Sequence, residues 1–532
     1  MDVYRTISTG ITPQTRPADP RQEVNGAGGH TFTVTPLQRL RRFLLLGTEG
    51  GTYYTSAAEL TADAAPTVLR FAAEETTALV REIVAISQAG RAPKQQPALF
   101  ALAAAAGLGD DEGRRAALDA LPDVARTGTH SFLFAGYVEQ FRGWGRALRR
   151  AVGDWYLTRP VADVAHQAIK YRQREGWSHR DLLRLAHPVT DDAERRALFA
   201  YLTRGDTAGV PRLVEGYERV QADPRRAVEG VVDYGLSWEM LPDAALASPP
   251  VWEALLERGL PQTALLRQLP RLTRLGLLAP GTERAERVAA QLTDPERLRR
   301  ARVHPVNVLV AQRTYASGRS ARGESTWVPS TPISDALDAA FYAAFAAVEP
   351  SGRRHLSALD VSGSMTARVS GLPISAREAS AALALVTAAT EPQHWIVGFT
   401  GDPNGTYRGS GISELDLGPR RRLDDVVCTI ENLPFGATDC ALPITWAHEN
   451  GVEVDVFSVY TDNETWCGPI HPHQALARYR REVNPDARMA VVGMTATGFS
   501  IADPDDAGIL DVVGFDSATP ALLSDFARGS QK

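Results

Sequence analysis

The sequence predicts two domains of different class: an all-helical repeat domain, then an α/β domain built on a doubly wound parallel sheet. Three observations predict it. The chain has 532 residues, more than one ordinary core accommodates. From about Thr35 to Phe345 apolar residues recur at helical spacing between Gly and Pro breaks, and strand signals are scarce. After Arg354, short apolar runs of strand length alternate with helical segments, which implies a parallel sheet covered on both faces.

In the first half, ALVREIVAIS places Leu79, Val80, Ile83 and Val84 on one helical face. ALFALAAAAGL, GRALRRAVGDWYL, HRDLLRLAH and VWEALLERGL read the same way. Many short amphipathic helices in series predict stacked pairs, a solenoid, although no clean fixed-period repeat stands out. DALDAAFYAAFAAVEPSGRR reads as a last helix ending in a short linker at Glu349–Gly352. In the second half the strands are HLSALDVS, HWIVGFT, VDVFSVYTD, RMAVVGMT and ILDVVGFD. ISAREASAALALVTAAT, RRLDDVVCTIENL and HQALARYRREV are the helices between them.

Composition excludes several classes. The chain is 44% hydrophobic and 23% charged, as in a globular protein, and no run of about 18 apolar residues predicts a membrane span. The N-terminus has no apolar core after a basic start, so no secretory signal is expected. Cys428, Cys440 and Cys467 make no paired framework and fit a reducing, cytoplasmic setting. The net charge of −6 is unevenly spread. Residues 1–350 hold 43 Lys and Arg against 40 Asp and Glu, whereas residues 351–532 hold 14 against 23. A polyanion is therefore expected to meet the N-terminal half.

Asp360-Val361-Ser362-Gly363-Ser364 ends the first strand of the second domain, Gly436-Ala437-Thr438-Asp439 lies in a later loop, and Asp462 follows another strand. Ligands in such sheets bind beyond the carboxyl ends of the strands. Hydroxyls and carboxylates are hard oxygen donors, suited to Mg²⁺ above all, with Mn²⁺ and Ca²⁺ as alternatives. The set resembles the metal-ion-dependent adhesion site of von Willebrand factor A domains, D-x-S-x-S followed by distant Thr and Asp. That resemblance implies Asp360, Ser362, Ser364, Thr438 and Asp462 as ligands. The simpler alternative is a strand-to-helix turn in which Asp and Ser cap the helix. A phosphate loop fits less well, because the Gly spacing and the Lys are missing. No general base or nucleophile is evident around the site, so a non-enzymatic, binding role is expected.

KYRQREGWSHRDLLRLAH, residues 170–187, is the second constellation. Ser178 and Asp181 form a capping-box-like pair ahead of a helix over 179–187, whose Leu182, Leu183, Leu185 and Ala186 face the core. Lys170 and Arg174 are expected on one face of the preceding helix, with Arg172 nearby. His179, Arg180, Arg184 and His187 would complete a basic surface beside the helix start, where backbone N–H groups also favour phosphate. The bland alternative is a solvated arginine face, with Trp177 in the core. Arg267, Arg271 and Arg274 form a weaker run because Pro270 interrupts it, and the Trp144 to Arg150 segment reads first as a surface helix.

Taken together, NGAGGHTFTV, RLRRFLLLGTEGGTYY, GWGRALRRAVGDWY, KYRQREGWSHRDLLRLAH, ARVHPVNVLVA, ALDVSGSM, TDNETW and GFSIADPDDAGILDVVGFD resemble the Ro autoantigen family over nearly the whole chain. The resemblance implies a ring of HEAT-like repeats, the TROVE domain, over 22–352, and a von Willebrand factor A domain over 353–532. It implies small Y-like RNAs on the outer surface and single-stranded 3′ ends of misfolded RNA in the central hole. It carries Y-RNA contacts onto Lys170, Arg174 and His187; Arg172, His179, Arg180 and Arg184 rest on charge alone. In bacteria it further implies polynucleotide phosphorylase as a tethered partner, with the chain monomeric apart from RNA-mediated assembly. The rival expectation is a protein-binding scaffold that uses the solenoid and the metal site without RNA.

Overall fold

The computed structural model describes residues 10–529 except 48, 50–64, 93, 175, 321–323, 346–347, 368–373, 402–410, 419–420, 434–435, 496 and 515–517. Helices run in series from Pro36–Leu46 to Thr331–Ala343. Their starts follow local chemistry. Thr35 and Gln38 form a capping box ahead of Pro36, and the side chains of Asp110, Thr127 and Asp192 each accept a backbone N–H of the helix they begin. ALVREIVAIS lies in Thr76–Ala89 and buries Leu79, Val80 and Ile83 as expected; Ile86 joins them, while Val84 is half-buried. Gln96–Leu108 is buried from Pro97 to Ala106. Its alanines let neighbouring helices approach on all sides, and Phe100 anchors it against Phe43, Tyr137 and Phe141.

The two ends of the helical run meet. Arg302 Nε donates to Gln88 O at 2.9 Å, and His304 Nε2 lies 2.9 Å from Arg91 O. His304 Nδ1 accepts from Val306 N, so Nε2 is the nitrogen that donates across the closure. Among the described residues, no helix is long and apolar enough to cross a membrane.

The second domain holds a six-stranded sheet in the order Ile509–Val513, Arg488–Gly493, Val456–Thr461, His355–Asp360, His394–Phe399, Ile412–Glu414. All pairs are parallel except the last, an antiparallel edge. The five parallel strands are those the apolar runs predict. The short edge strand Ile412–Glu414 carries no such signal. Helices Ala376–Thr390, Leu423–Glu431, Leu442–Glu449 and Pro472–Glu482 connect the strands.

The start of the chain does not stay with the helical domain in its hydrogen bonding. The described residues before Pro36 lie on the second domain, not on the helices. Gln22–Val24 pairs with His30–Thr33, which pairs in turn with Phe499–Ser500. The NGAGG turn fits because Gly29 packs so closely that a Cβ there would lie 2.0 Å from Thr465 O. The RLRR segment is likewise not a free basic patch. Arg42 is 1% exposed, pairs with Asp511 at 3.2 Å and donates to Phe499 O at 3.0 Å. Arg313–Glu378 at 2.6 Å and an Arg422–Asp335 pair add further links between the domains.

Candidate metal centre and nucleic-acid interface

Asp360 is the last residue of its strand and is fully buried. Its Oδ1 accepts from Ser362 N at 2.9 Å and its Oδ2 from Thr461 Oγ1 at 2.8 Å. Ser362 Oγ and Ser364 Oγ lie 2.9 Å apart. The buried Arg377 holds this loop by donating to Val361 O at 2.8 Å and Ser362 O at 3.2 Å. Asp462, also fully buried, follows the neighbouring strand and accepts from Glu464 N at 3.0 Å. Thr438 is buried, and its carbonyl accepts Trp466 N at 3.1 Å and Cys467 N at 3.3 Å. The three predicted segments therefore converge on one edge, tied by Thr461 to Asp360 and by Thr438 to the 461–467 loop. Gly363 is exposed and Ser364 half-exposed, so the edge opens at the D-x-S-x-S loop.

Burial first, and then the nearby Asp462 charge, pushes the Asp360 carboxyl up to about 7. Two buried carboxylates on one sheet edge with the Ser362, Ser364 and Thr438 residues would supply hard oxygen donors to a divalent cation, which would offset the buried negative charge. Among the described residues no group of three His, Cys, Asp or Glu side chains gathers to hold a metal, so a site here relies on hydroxyls.

Sequence reasoning missed the support around these residues. Gln14, from the N-terminal arm, is fully buried; its Nε2 donates to Asp439 Oδ1 and Ile470 O, each at 2.8 Å, and its Oε1 accepts from Thr465 Oγ1. Asn25 Nδ2 donates to Thr465 O at 2.8 Å. Burial pushes Asp439 up to about 6, against the pull of the Ala441 N–H and Gln14. The signal for Thr461 was its place beside Asp462; Gln14 carries no local signal.

The basic constellation is only partly assembled. Ser178 and Asp181 form the expected capping box, and the helix spans His179–Ala186 with Leu182 and Leu183 buried and Leu185 and Ala186 half-buried. Lys170 ends the helix Val161–Lys170, whereas Arg174 lies in a hairpin, Gln173–Arg174 with Trp177–Ser178. The two therefore do not share a helix face. Lys170 pairs with Glu239 at 3.0 Å; burial opposes its charge, but Glu239 and Tyr171 hold its pKa above the ordinary value. Arg172 donates to Tyr217 Oη at 2.9 Å.

His179 must be removed from the surface. It is 1% exposed, its ring packs on Phe132 with centroids 4.7 Å apart, and its Nδ1 lies 2.7 Å from Tyr156 Oη. Burial holds its pKa down at about 3, so it is neutral and out of reach of phosphate. Arg174, Arg180, Arg184 and His187 remain exposed around the helix. His187 caps its end in the left-handed region, φ 48°.

Comparison with known proteins covers both domains. The TROVE domain family matches residues 23–220 and 232–314, and the Ro60 vWA domain family matches residues 354–527. The chain is 41% identical to the RNA-binding protein RO60 of Deinococcus radiodurans over 99% of both chains. It is 36% identical to the RNA-binding protein RO60 of Caenorhabditis elegans over 96% of this chain and 90% of that one. The crystal structure of the Deinococcus radiodurans RO (RSR) protein superposes with a TM-score of 0.71 at 40% identity, over 93% of this chain and all of that one. A helical domain that meets itself end to end, followed by an oxygen-rich sheet edge, and matched from end to end by these relatives, places the chain in the Ro60 family.

Proposed function

We propose that the chain is a non-enzymatic RNA-binding protein of RNA quality control or decay. It holds small Y-like RNA on the outer face of the helical domain and takes single-stranded 3′ ends of misfolded RNA through a central hole. The observation that carries this reading is the exposed group Arg174, Arg180, Arg184 and His187 beside a helix start, on a chain whose full-length relatives are named for RNA binding. Phosphate contacts by arginine are blind to base identity and supply affinity. Lys170, which pairs with Glu239, and Arg172, which donates to Tyr217 Oη, join that group as further phosphate contacts. In a bacterial setting, polynucleotide phosphorylase is the expected partner, and degradation is then the partner's chemistry.

Asp360, Ser362, Ser364, Thr438 and Asp462 would hold Mg²⁺. Bound there, the ion supplies a hard positive centre able to accept a carboxylate or water. The residues around it favour binding over catalysis. Cys440 Sγ lies 3.4 Å from Thr461 Oγ1, which donates to Asp360. Burial pushes the Cys440 thiol pKa up, away from the reactive thiolate.

A gel-shift titration with a Y-like stem–loop RNA at several salt concentrations tests the reading. Specific binding is expected that weakens steeply with salt, and Arg174→Ala with Arg180→Ala and Arg184→Ala should weaken it at least tenfold, at about 1.4 kcal/mol per factor of ten. No binding even at low salt refutes it and leaves the protein-scaffold alternative.

A further inference from the structure

Exposed arginines on the helical domain are often neutralised by a carboxylate, as in Arg219–Glu215, Arg226–Glu229 and Arg299–Glu296. Arg146, Arg149 and Arg150, at the start of helix Arg146–Leu157, are not. All three are exposed, and no carboxylate among the described residues pairs with them. Their spacing puts Arg146 with Arg149 and Arg150 on one helical face, while Leu148 turns into the core.

This helix packs against helix His179–Ala186. Just ahead of the two helices, two indoles also meet. Trp144, two residues before Arg146, meets Trp177 with ring centroids 5.8 Å apart and planes at 40°. Trp177 is the register partner of Arg174 in its hairpin. Both indoles are only partly covered. Trp144 is steadied by donating its Nε1–H to Glu139 Oε1 at 3.1 Å. A second group of uncompensated arginines thus continues the first across an aromatic pair. Two indoles enclosed by the core alone would be buried, and a purely solvated arginine face would need no aromatic between its two halves.

We propose that Arg146, Arg149 and Arg150 bind the backbone of an RNA segment, and that the Trp144–Trp177 pair stacks an unpaired base of it. This rests on the RNA-binding reading above and specifies the ligand: an RNA with an unpaired nucleotide beside a stem. A base within a duplex keeps its faces stacked on its neighbours, so only an unpaired base presents a face to an indole. Arginines on either side grip the phosphates that flank it.

The test uses the full chain and a fluorescent stem–loop RNA carrying 5-bromouridine at its unpaired positions. The Arg146→Ala, Arg149→Ala, Arg150→Ala variant should bind at least tenfold more weakly, and its plot of log affinity against log salt should flatten by about 2. Ultraviolet crosslinking of the unchanged protein should map to the peptides bearing Trp144 or Trp177. Trp177→Leu should weaken the stem–loop about tenfold while leaving a blunt duplex unaffected. The crosslink, made on unchanged protein, decides the matter if that variant fails to fold. Affinity of the triple variant within twofold of wild type, or crosslinks confined to other segments, overturns the proposal. If the Arg174, Arg180, Arg184 variant weakens binding while the Arg146, Arg149, Arg150 variant does not, the extension alone falls. If the unchanged protein binds no RNA, the underlying reading falls with it.

Discussion

His179 and Arg180 are neighbours at one helix start, yet one belongs to the core and the other to solvent. Their substitutions should separate folding from binding. His179→Ala opens a cavity beside Phe132 and removes the hydrogen-bond partner of the buried Tyr156 hydroxyl, a loss of about 2–4 kcal/mol by urea unfolding. Arg180→Ala should stay within about 0.5 kcal/mol of wild type. Equal losses would show that the environments are misassigned. His179 also gives a sign for acid sensitivity. Burial moves its pKa from 6.5 to about 3, and moves those of His130 and His473 to about 4 and about 3. The unfolded chain therefore takes up these protons first. Stability is full above about pH 6.5 and falls as pH drops towards the folded values. For one fully buried histidine the loss is about 2 kcal/mol by pH 5. His179→Gln should shrink the difference in unfolding free energy between pH 7 and pH 5 by that amount. An unchanged difference would mean that His179 takes up its proton in the folded state as readily as in the unfolded one.

At the scale of elements, the N-terminal arm is what the sequence hid. The Ser178–Asp181 box was legible because capping is a contact between residues three apart, and the parallel strands because burial on both faces concentrates apolar residues into short runs, with small polar residues among them. The ligand candidates Asp360, Thr438 and Asp462 were legible because they sit near strand ends or in the loops that join them. The hairpin Gln22–Val24 with His30–Thr33 was not: its strands are short, and its outer partner, Phe499–Ser500, is at the far end of the chain. Gln14 was invisible for the same reason, because its partners Asp439 and Thr465 become neighbours only after folding. It links the loops that carry Thr438 and Asp462, so Gln14→Ala should cost about 1–3 kcal/mol and raise the Mg²⁺ concentration needed for thermal stabilisation. Arg16→Ala, on the exposed side of the same arm, should do neither. Asp360→Asn should abolish stabilisation by Mg²⁺, because it removes a charged oxygen donor. Thermal melts with and without a chelator read both effects, and Mg²⁺ stabilisation that survives in Asp360→Asn would rule out this edge as the binding site.

Across the whole molecule, charge and closure are divided between the domains. The acidic second domain takes arginines from the helical one at Arg42–Asp511 and Arg313–Glu378. Those pairs fasten the domains at the base of the helical run, while the run itself is closed by Arg302 and His304 onto Gln88 and Arg91. Among the described residues, hydrogen bonds to two backbone carbonyls, one of them from a buried imidazole, cross this seam near the protein surface, where Arg302 is exposed. The seam should therefore open before the cores melt. Arg302→Ala with His304→Ala removes about 2 kcal/mol from it, which corresponds to roughly 30-fold more frequent local opening. Native-state hydrogen exchange is then expected to accelerate in Thr76–Ala89 and Pro305–Ala316. Strands His355–Asp360 and Val456–Thr461 should keep their protection, since none of their pairing depends on the seam. Uniform acceleration through both domains would mean instead that closure and global folding are one cooperative event. Within the proposed function the distinction has a consequence: a seam that opens by itself lets an RNA enter the helical domain sideways, whereas a seam that opens only on unfolding leaves threading by a free 3′ end as the way in.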